Sequence, residues 1–237
     1  MARWNPWHGC RKVSEGCMNC YVFSIDASHG LDGSRVYRTA DFDLPVRKSR
    51  GGGYKIASGQ EVVTCLSSDF FLDTADAWRP EAWEMIRRRP DLHFFIITKR
   101  ITRAAQCLPD DWGEGYGNVT IACTVENQRQ CDVRMPVFLS LPIRHRSIIC
   151  EPLLESVDLH LTPAVERVLV GGESGRGARA CRYEWVTDIR RQCVDAGVEF
   201  CFRQTGALFI KDGKTYVIGR KDQIPQARRA GLDYRPE

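Results

Sequence analysis

The chain has 237 residues, of which 43% are hydrophobic and 27% charged. That composition excludes a disordered protein and is long enough to bury a full core without disulfide or metal staples. The net charge of +4 is too small to argue alone for nucleic acid, although Arg outnumbers Lys 27 to 7, a bias that suits phosphates and carboxylates and that a GC-rich genome also produces.

In chain order, a short first strand is expected near Arg3-Trp4-Asn5, before a cysteine-bearing loop. Residues 30–59 are irregular, with Gly51-Gly52-Gly53 and the Arg47-Lys48-Ser49-Arg50 cluster, and read as a long loop or lid. Val62–Leu66 reads as a buried strand ending in Ser67-Ser68-Asp69. Glu81–Arg89 reads as a helix, with Pro80 favourable in its first turn. Phe94–Ile97 is the next strand, ending in Thr98-Lys99-Arg100. Val119–Cys123 ends in Thr124-Val125-Glu126-Asn127, Ser147–Cys150 in Glu151-Pro152, and Val168–Val170 in Gly171-Gly172-Glu173-Ser174. Tyr183–Ala196 is an amphipathic helix stopped by Gly197. Val198–Phe202 ends in Arg203-Gln204. Ala207–Ile218 reads as a hairpin around Asp212-Gly213, and Gly219–Glu237 as a loosely packed polar tail.

Strands that are apolar throughout and alternate with helices indicate an α/β protein with a parallel sheet. Six or seven of them predict a partial or full parallel βα barrel over residues 1–206, followed by the hairpin and tail at 207–237. Sites in such folds lie at the carboxyl ends of the strands, which here carry Asp69, Lys99, Glu126, Glu151, Glu173 and Gln204. Exposure of strand ends explains one or two polar groups there more readily than six. Phe94–Ile97, the longest aliphatic–aromatic run, is far short of a membrane span. Met1–Pro6 lacks a signal-peptide stretch, so a cytoplasmic protein without a membrane partner is expected.

Eleven cysteines are an odd count, and without an export signal disulfides are not expected. Cys10, Cys17 and Cys20 have the spacing C-x6-C-x2-C, with Gly9 and Gly16 beside two of them. Three thiolates without an evident fourth suit a 4Fe–4S cube with one open iron. Zinc held by the three cysteines and His8 is the alternative, and unliganded thiols are the third reading. Cys65, Cys123, Cys150 and Cys201 fall in strands and Cys193 in a helix, where Cys behaves as a small buried hydrophobe. The run from Gly171 to Gly177, with Arg176, Arg179 and Arg182, reads either as a phosphate nest or as a tight turn with solvated arginines.

Several motifs together carry a resemblance. They are Trp4-Asn5-Pro6 with the three-cysteine loop and Tyr21, Ser67–Phe71, Thr98-Lys99-Arg100, Thr124–Asn127, Cys150–Leu154 and Val170–Gly175. In these the sequence resembles the phage-associated three-cysteine proteins of unknown function of Mu-like phages and bacteria, which are similar to radical S-adenosylmethionine enzymes. The resemblance covers about residue 4 to Gly206. It departs from the commonest radical motif, which has three residues between its first two cysteines and an aromatic residue where Asn19 stands. Ser67-Ser68-Asp69 also occupies the place of the usual Gly-Gly-Glu run.

The resemblance implies an enzyme with a 4Fe–4S cluster on Cys10, Cys17 and Cys20, whose open iron chelates S-adenosyl-L-methionine. One electron, from a donor such as a flavodoxin or ferredoxin, would release a 5′-deoxyadenosyl radical to abstract hydrogen from a substrate, with a nucleic acid or nucleotide as the expected class. From the strand-end positions, Ser68 and Asp69 are expected to accept from the cofactor's ammonium and Lys99 or Arg100 to pair with its carboxylate. Glu126 is expected at the ribose, and Gly171 and Gly172 at closely approaching adenine or ribose. Glu151, Glu173 and Gln204 are the expected substrate contacts. The competing function is a zinc-stabilised nucleic-acid-binding module without catalysis.

Overall fold

The computed structural model describes residues 1–236. The first part of the chain holds β1 (Ala2–Trp4), β2 (Trp7–His8), α1 (Tyr21–Ser28), β3 (Tyr37–Arg38), β4 (Glu61–Thr64), α2 (Arg79–Arg87) and β5 (His93–Thr98). There follow β6 (Val119–Thr124), α3 (Gln128–Ser140), β7 (His145–Cys150), β8 (Arg167–Gly171), β9 (Cys181–Arg182), α4 (Tyr183–Ala196) and β10 (Glu199–Gln204). The chain continues with β11 (Leu208–Lys211), β12 (Lys214–Val217) and α5 (Arg220–Arg229).

Seven strands form one parallel sheet in the order β1-β4-β5-β6-β7-β8-β10. β1 and β10 end it, so the sheet is the partial form of the barrel rather than the closed one. The register sets Ala2 beside Val62, Val62 beside Phe94, Ile148 beside Val168 and Val168 beside Phe200. β6 is buried at all six positions, which is why it lacks polar alternation.

Local chemistry places the element ends. α4 stops where Gly197 takes φ 65° and its N–H bonds back to Cys193 and Val194 carbonyls. The hairpin of β11 and β12 turns at Asp212 (φ 51°) and Gly213 (φ 72°), the left-handed pair that a tight two-residue turn requires.

Two expectations fail. The segment after Gly219 is not a loose tail: it contains α5, which buries Gln223 and Ala227. Beyond it, Tyr234 exchanges two 2.9 Å backbone hydrogen bonds with Phe200, so the segment around Tyr234 pairs with the edge of β10. Residues 30–59 are likewise pinned rather than a free lid. Buried Arg89 donates to the carbonyls of Pro45 and Ile56, and the Tyr54 ring lies 3.4 Å from Lys48 Nζ and 4.0 Å from the Arg89 guanidinium.

The chain divides into two compact units. The first comprises residues 1–13, 22–122 and 140–145. Its core is an aromatic array in which Trp4 meets Phe94 at 5.7 Å, Trp7 meets Phe70 at 5.3 Å, and Trp83 meets Phe70 at 4.8 Å and Trp112 at 5.2 Å. The second comprises residues 14–21, 123–139 and those from 146 onward. It is packed by Cys150, Val168, Val170, Ile189, Cys193 and Phe200, all buried. The hairpin and α5 belong to this second unit.

Candidate functional site

The cysteines separate by exposure. Cys65, Cys107, Cys123, Cys131, Cys150, Cys181 and Cys193 are buried, whereas Cys10, Cys17, Cys20 and Cys201 are partly exposed. Burial pushes the thiols of Cys131, Cys181 and Cys193 up to about 12 and those of Cys65 and Cys150 well above the ordinary range. These are core residues with suppressed reactivity. Burial also raises Cys201.

In the first unit, Cys10 is held through the backbone. Gly9 has φ 89°, and a Cβ there would come 2.1 Å from the Arg35 carbonyl oxygen, so only glycine fits. The Cys10 N–H donates to Gly33 O (2.9 Å), the Gly9 N–H to Ser67 O (3.1 Å), and the Ser68 hydroxyl to Gly9 O (2.5 Å). Arg100, at the end of β5, donates to Arg11 O (2.6 Å), and its other Nη lies 3.6 Å from Cys10 Sγ and 3.4 Å from Asp69 Oδ2.

Asp69 is already engaged on both oxygens. Oδ1 accepts from the Phe71 N–H (3.0 Å) and the Thr98 hydroxyl (2.8 Å), and Oδ2 from the Lys99 N–H (2.9 Å). It therefore braces the loop and is not available to a cofactor ammonium. Arg100 is engaged in the same way. Lys99 differs: its side chain is partly exposed and makes no hydrogen bond or ion pair among the described residues.

In the second unit, Glu15–Cys17 forms a 3-10 turn and the Cys20 N–H donates to Cys17 O (3.3 Å). Two acid–arginine pairs hold this turn. Glu126, fully buried after β6, pairs with Arg134 of α3 at 2.7 Å and accepts from the Gly16 N–H (3.1 Å) and the Ser14 hydroxyl. Arg134 also donates to Ser14 Oγ (2.9 Å). A Cβ on Gly16 would come 2.9 Å from Glu126 Cδ, so this glycine lets the carboxylate close on the turn.

Glu173, after β8, accepts from the Arg179 N–H, Arg179 Nε and Asn19 Nδ2, each at 2.9 Å, and pairs with Arg179 Nη2 at 2.5 Å. Arg179 in turn donates to Glu15 O (3.0 Å), and Asn19 to Gly177 O (2.9 Å). Burial raises the Glu173 carboxyl, but hydrogen bonds from Arg179 and Asn19 outweigh it and hold the group below its ordinary 4.5.

These contacts correct several assignments. Glu126 has no accessible oxygen for a ribose, and Glu173 none for a substrate. Gln204 is also fully engaged, donating to Glu151 Oε1 (2.9 Å) and Gly172 O (2.5 Å) and accepting from the Gly206 N–H (2.8 Å) and Ser174 Oγ (3.2 Å). Gly171 and Gly172 admit the chain itself rather than a nucleoside. A Cβ on Gly171 would come 2.9 Å from Glu151 Cδ, and one on Gly172 2.3 Å from Thr205 O. Arg179, partly exposed, is paired with Glu173. Glu151 keeps capacity: it is partly exposed, and the nearest cation to Oε2, Arg203, is 3.7 Å away.

Ser14, Asn19 and Arg134 were missed by sequence reasoning. Arg134 carries no motif; it is a buried position in the Cys131, Arg134, Met135, Phe138 face of α3, where only tertiary structure supplies its acid.

Among the described residues, no group of three or more His, Cys, Asp or Glu converges so as to hold a metal. His8, the candidate fourth zinc ligand, pairs through Nε2 with buried Asp26 at 2.9 Å. The donor set itself is chemically apt: three partly exposed thiols, one beside a guanidinium, are the soft ligands that iron–sulfur centres and zinc take.

Fold and site together define a parallel α/β protein in which strand-end arginine–carboxylate pairs brace an N-terminal three-cysteine segment. The sequence profile described as "protein of unknown function (DUF5131)" matches residues 1–229, and the chain belongs to that family. Neither a curated protein nor a solved structure matches it. Among the described residues no helix is long and apolar enough to cross a membrane.

Proposed function

We propose that the chain is an enzyme of the radical S-adenosylmethionine type, of the phage-associated three-cysteine kind, with a 4Fe–4S cluster carried by Cys10, Cys17 and Cys20. The observation that carries this reading is that three strand-end ion pairs all grip the cysteine segment. Asp69–Arg100 does so at Arg11 O, Glu126–Arg134 at Ser14 and Gly16, and Glu173–Arg179 at Glu15 O and Asn19. A surface loop with no task does not call for three partly or fully buried acid–arginine pairs, because burying each charge is costly unless it is paired.

When bound, the cluster supplies one electron for reductive cleavage of the sulfonium of S-adenosyl-L-methionine, drawn from a donor such as a flavodoxin or ferredoxin. The chain's own residues position this chemistry. Arg100 directs a guanidinium N–H at Cys10 Sγ and balances the charge of a thiolate there. Lys99, unengaged at the end of β5, is the remaining cation for the cofactor carboxylate. Ser68 retains acceptor capacity for its ammonium, and Glu151 is the remaining strand-end acid for a substrate donor.

Anaerobic reconstitution with iron and sulfide tests the proposal. A brown protein is expected, with broad absorption near about 400 nm and about four irons per chain. Reductant and S-adenosyl-L-methionine should then release 5′-deoxyadenosine. A colourless protein that takes up one zinc would overturn it.

A further inference from the structure

Between Lys211 and Arg229 six cations stand against two carboxylates, Asp212 and Asp222. Lys211, Lys214, Arg220, Lys221, Arg228 and Arg229 are all exposed. None of their side chains makes an ion pair or hydrogen bond among the described residues. Several arginines elsewhere are matched with acids, as in Arg47 with Asp41 and Asp43, or Arg191 with Asp188 and Asp195. A patch of unneutralised cations is the electrostatic footprint of a polyanion site.

Two of these cations, Lys211 and Arg229, together with Asp222, border a groove of ≈ 530 Å³ between the β11–β12 hairpin, α4 and α5, within the size range of small-ligand pockets. Its wall is aromatic: Tyr183, Phe202, Phe209 and Tyr216, with Lys211 and Arg229 at its margin. Phe202 and Phe209 are buried and pack at 5.9 Å, whereas Tyr216 is exposed. Lys211 Nζ sits 4.5 Å from the centre of the Tyr183 ring. Aromatic faces that take unstacked bases, beside cations that follow a backbone, are how sequence-tolerant single-strand binding is built.

We propose that the hairpin and α5 form a docking surface for single-stranded nucleic acid, with the cations on phosphates and a base against Tyr216 in the groove. No residue of the cysteine segment lines this groove, so the proposal does not depend on the cluster.

The test is fluorescence anisotropy of labelled oligo-dT and oligo-U, about 15 nucleotides long, with the full chain. Binding is expected to weaken steeply between about 50 and about 200 mM salt. Arg228→Glu with Arg229→Glu should weaken it at least about tenfold and flatten the salt slope. Tyr216→Ala should weaken it by about 5- to 100-fold. The substituted side chains are exposed, and circular dichroism melts check that each variant folds. Cys17→Ala should bind the oligonucleotides like the parent chain, which separates this surface from the cluster reading. Absence of binding, binding indifferent to both variants, equal affinity for duplex, or binding to vesicles of anionic lipid but not to oligonucleotides would each overturn the proposal.

Discussion

Arg100 stands between Cys10 and Asp69, with one guanidinium nitrogen 3.6 Å from the sulfur and 3.4 Å from the carboxylate. The pair is buried, with side-chain exposures of 9% and 6%, so removing one charge strands the other. Asp69→Asn is expected to lower stability by about 3–5 kcal/mol, because its amide also meets N–H donors from Phe71 and Lys99. Urea denaturation of the two proteins measures this, and a loss under about 1 kcal/mol would show that the pair behaves like a surface ion pair.

Glu126 and Arg134 couple the second unit's core to the cysteine turn. Glu126→Ala is expected to destabilise by about 3–5 kcal/mol, while replacing both residues by leucine restores most of that loss. The double variant should still alkylate faster at Cys17, since Ser14 and Gly16 lose their anchors. Equal Cys17 rates in parent and double variant would show that the turn holds itself.

The Glu173 pair predicts a pH dependence. The folded carboxyl is held below its ordinary 4.5, so the pair stabilises the protein above that value, and the contribution disappears as pH falls through the lowered folded value. Glu173→Gln should therefore melt lower than the parent near neutrality, and the gap should close on acidification below 4.5. A gap that stays constant to the lowest pH at which the protein folds would contradict this.

The thiols differ in reactivity by the same physics. Burial raises Cys131, Cys181 and Cys193 to about 12, so in the native protein they should resist iodoacetamide at mild alkaline pH. Cys10, Cys17 and Cys20 should be modified first, and loading with iron and sulfide should protect all three. Peptide mapping by mass spectrometry reads both results. Protection of Cys17 and Cys20 without Cys10 would remove Cys10 from the ligand set.

Periodicity made the repeating strands and helices legible, and α4 ends where Gly197 signalled, because these are local consequences of side-chain pattern and backbone freedom. α3 was less legible because its inner face includes Arg134 and its sequence contains Pro136, so burial there does not look apolar. The fold of the last residues was hidden for another reason: Tyr234 is ordered by the edge of β10, a partner that no local pattern announces.

The sequence by itself determined a parallel α/β chain with polar strand ends, a hairpin at Asp212-Gly213 and a C-x6-C-x2-C segment. Only the tertiary structure decided what those strand ends do. Asp69, Glu126, Glu173 and Gln204 bond to the chain itself and leave Lys99 and Glu151 with unfilled capacity. The physical reason is that a hydrogen bond or ion pair depends on which distant side chain the fold brings within about 3 Å, and spacing along the chain carries no record of Arg100 beside Cys10 or Arg134 beside Glu126.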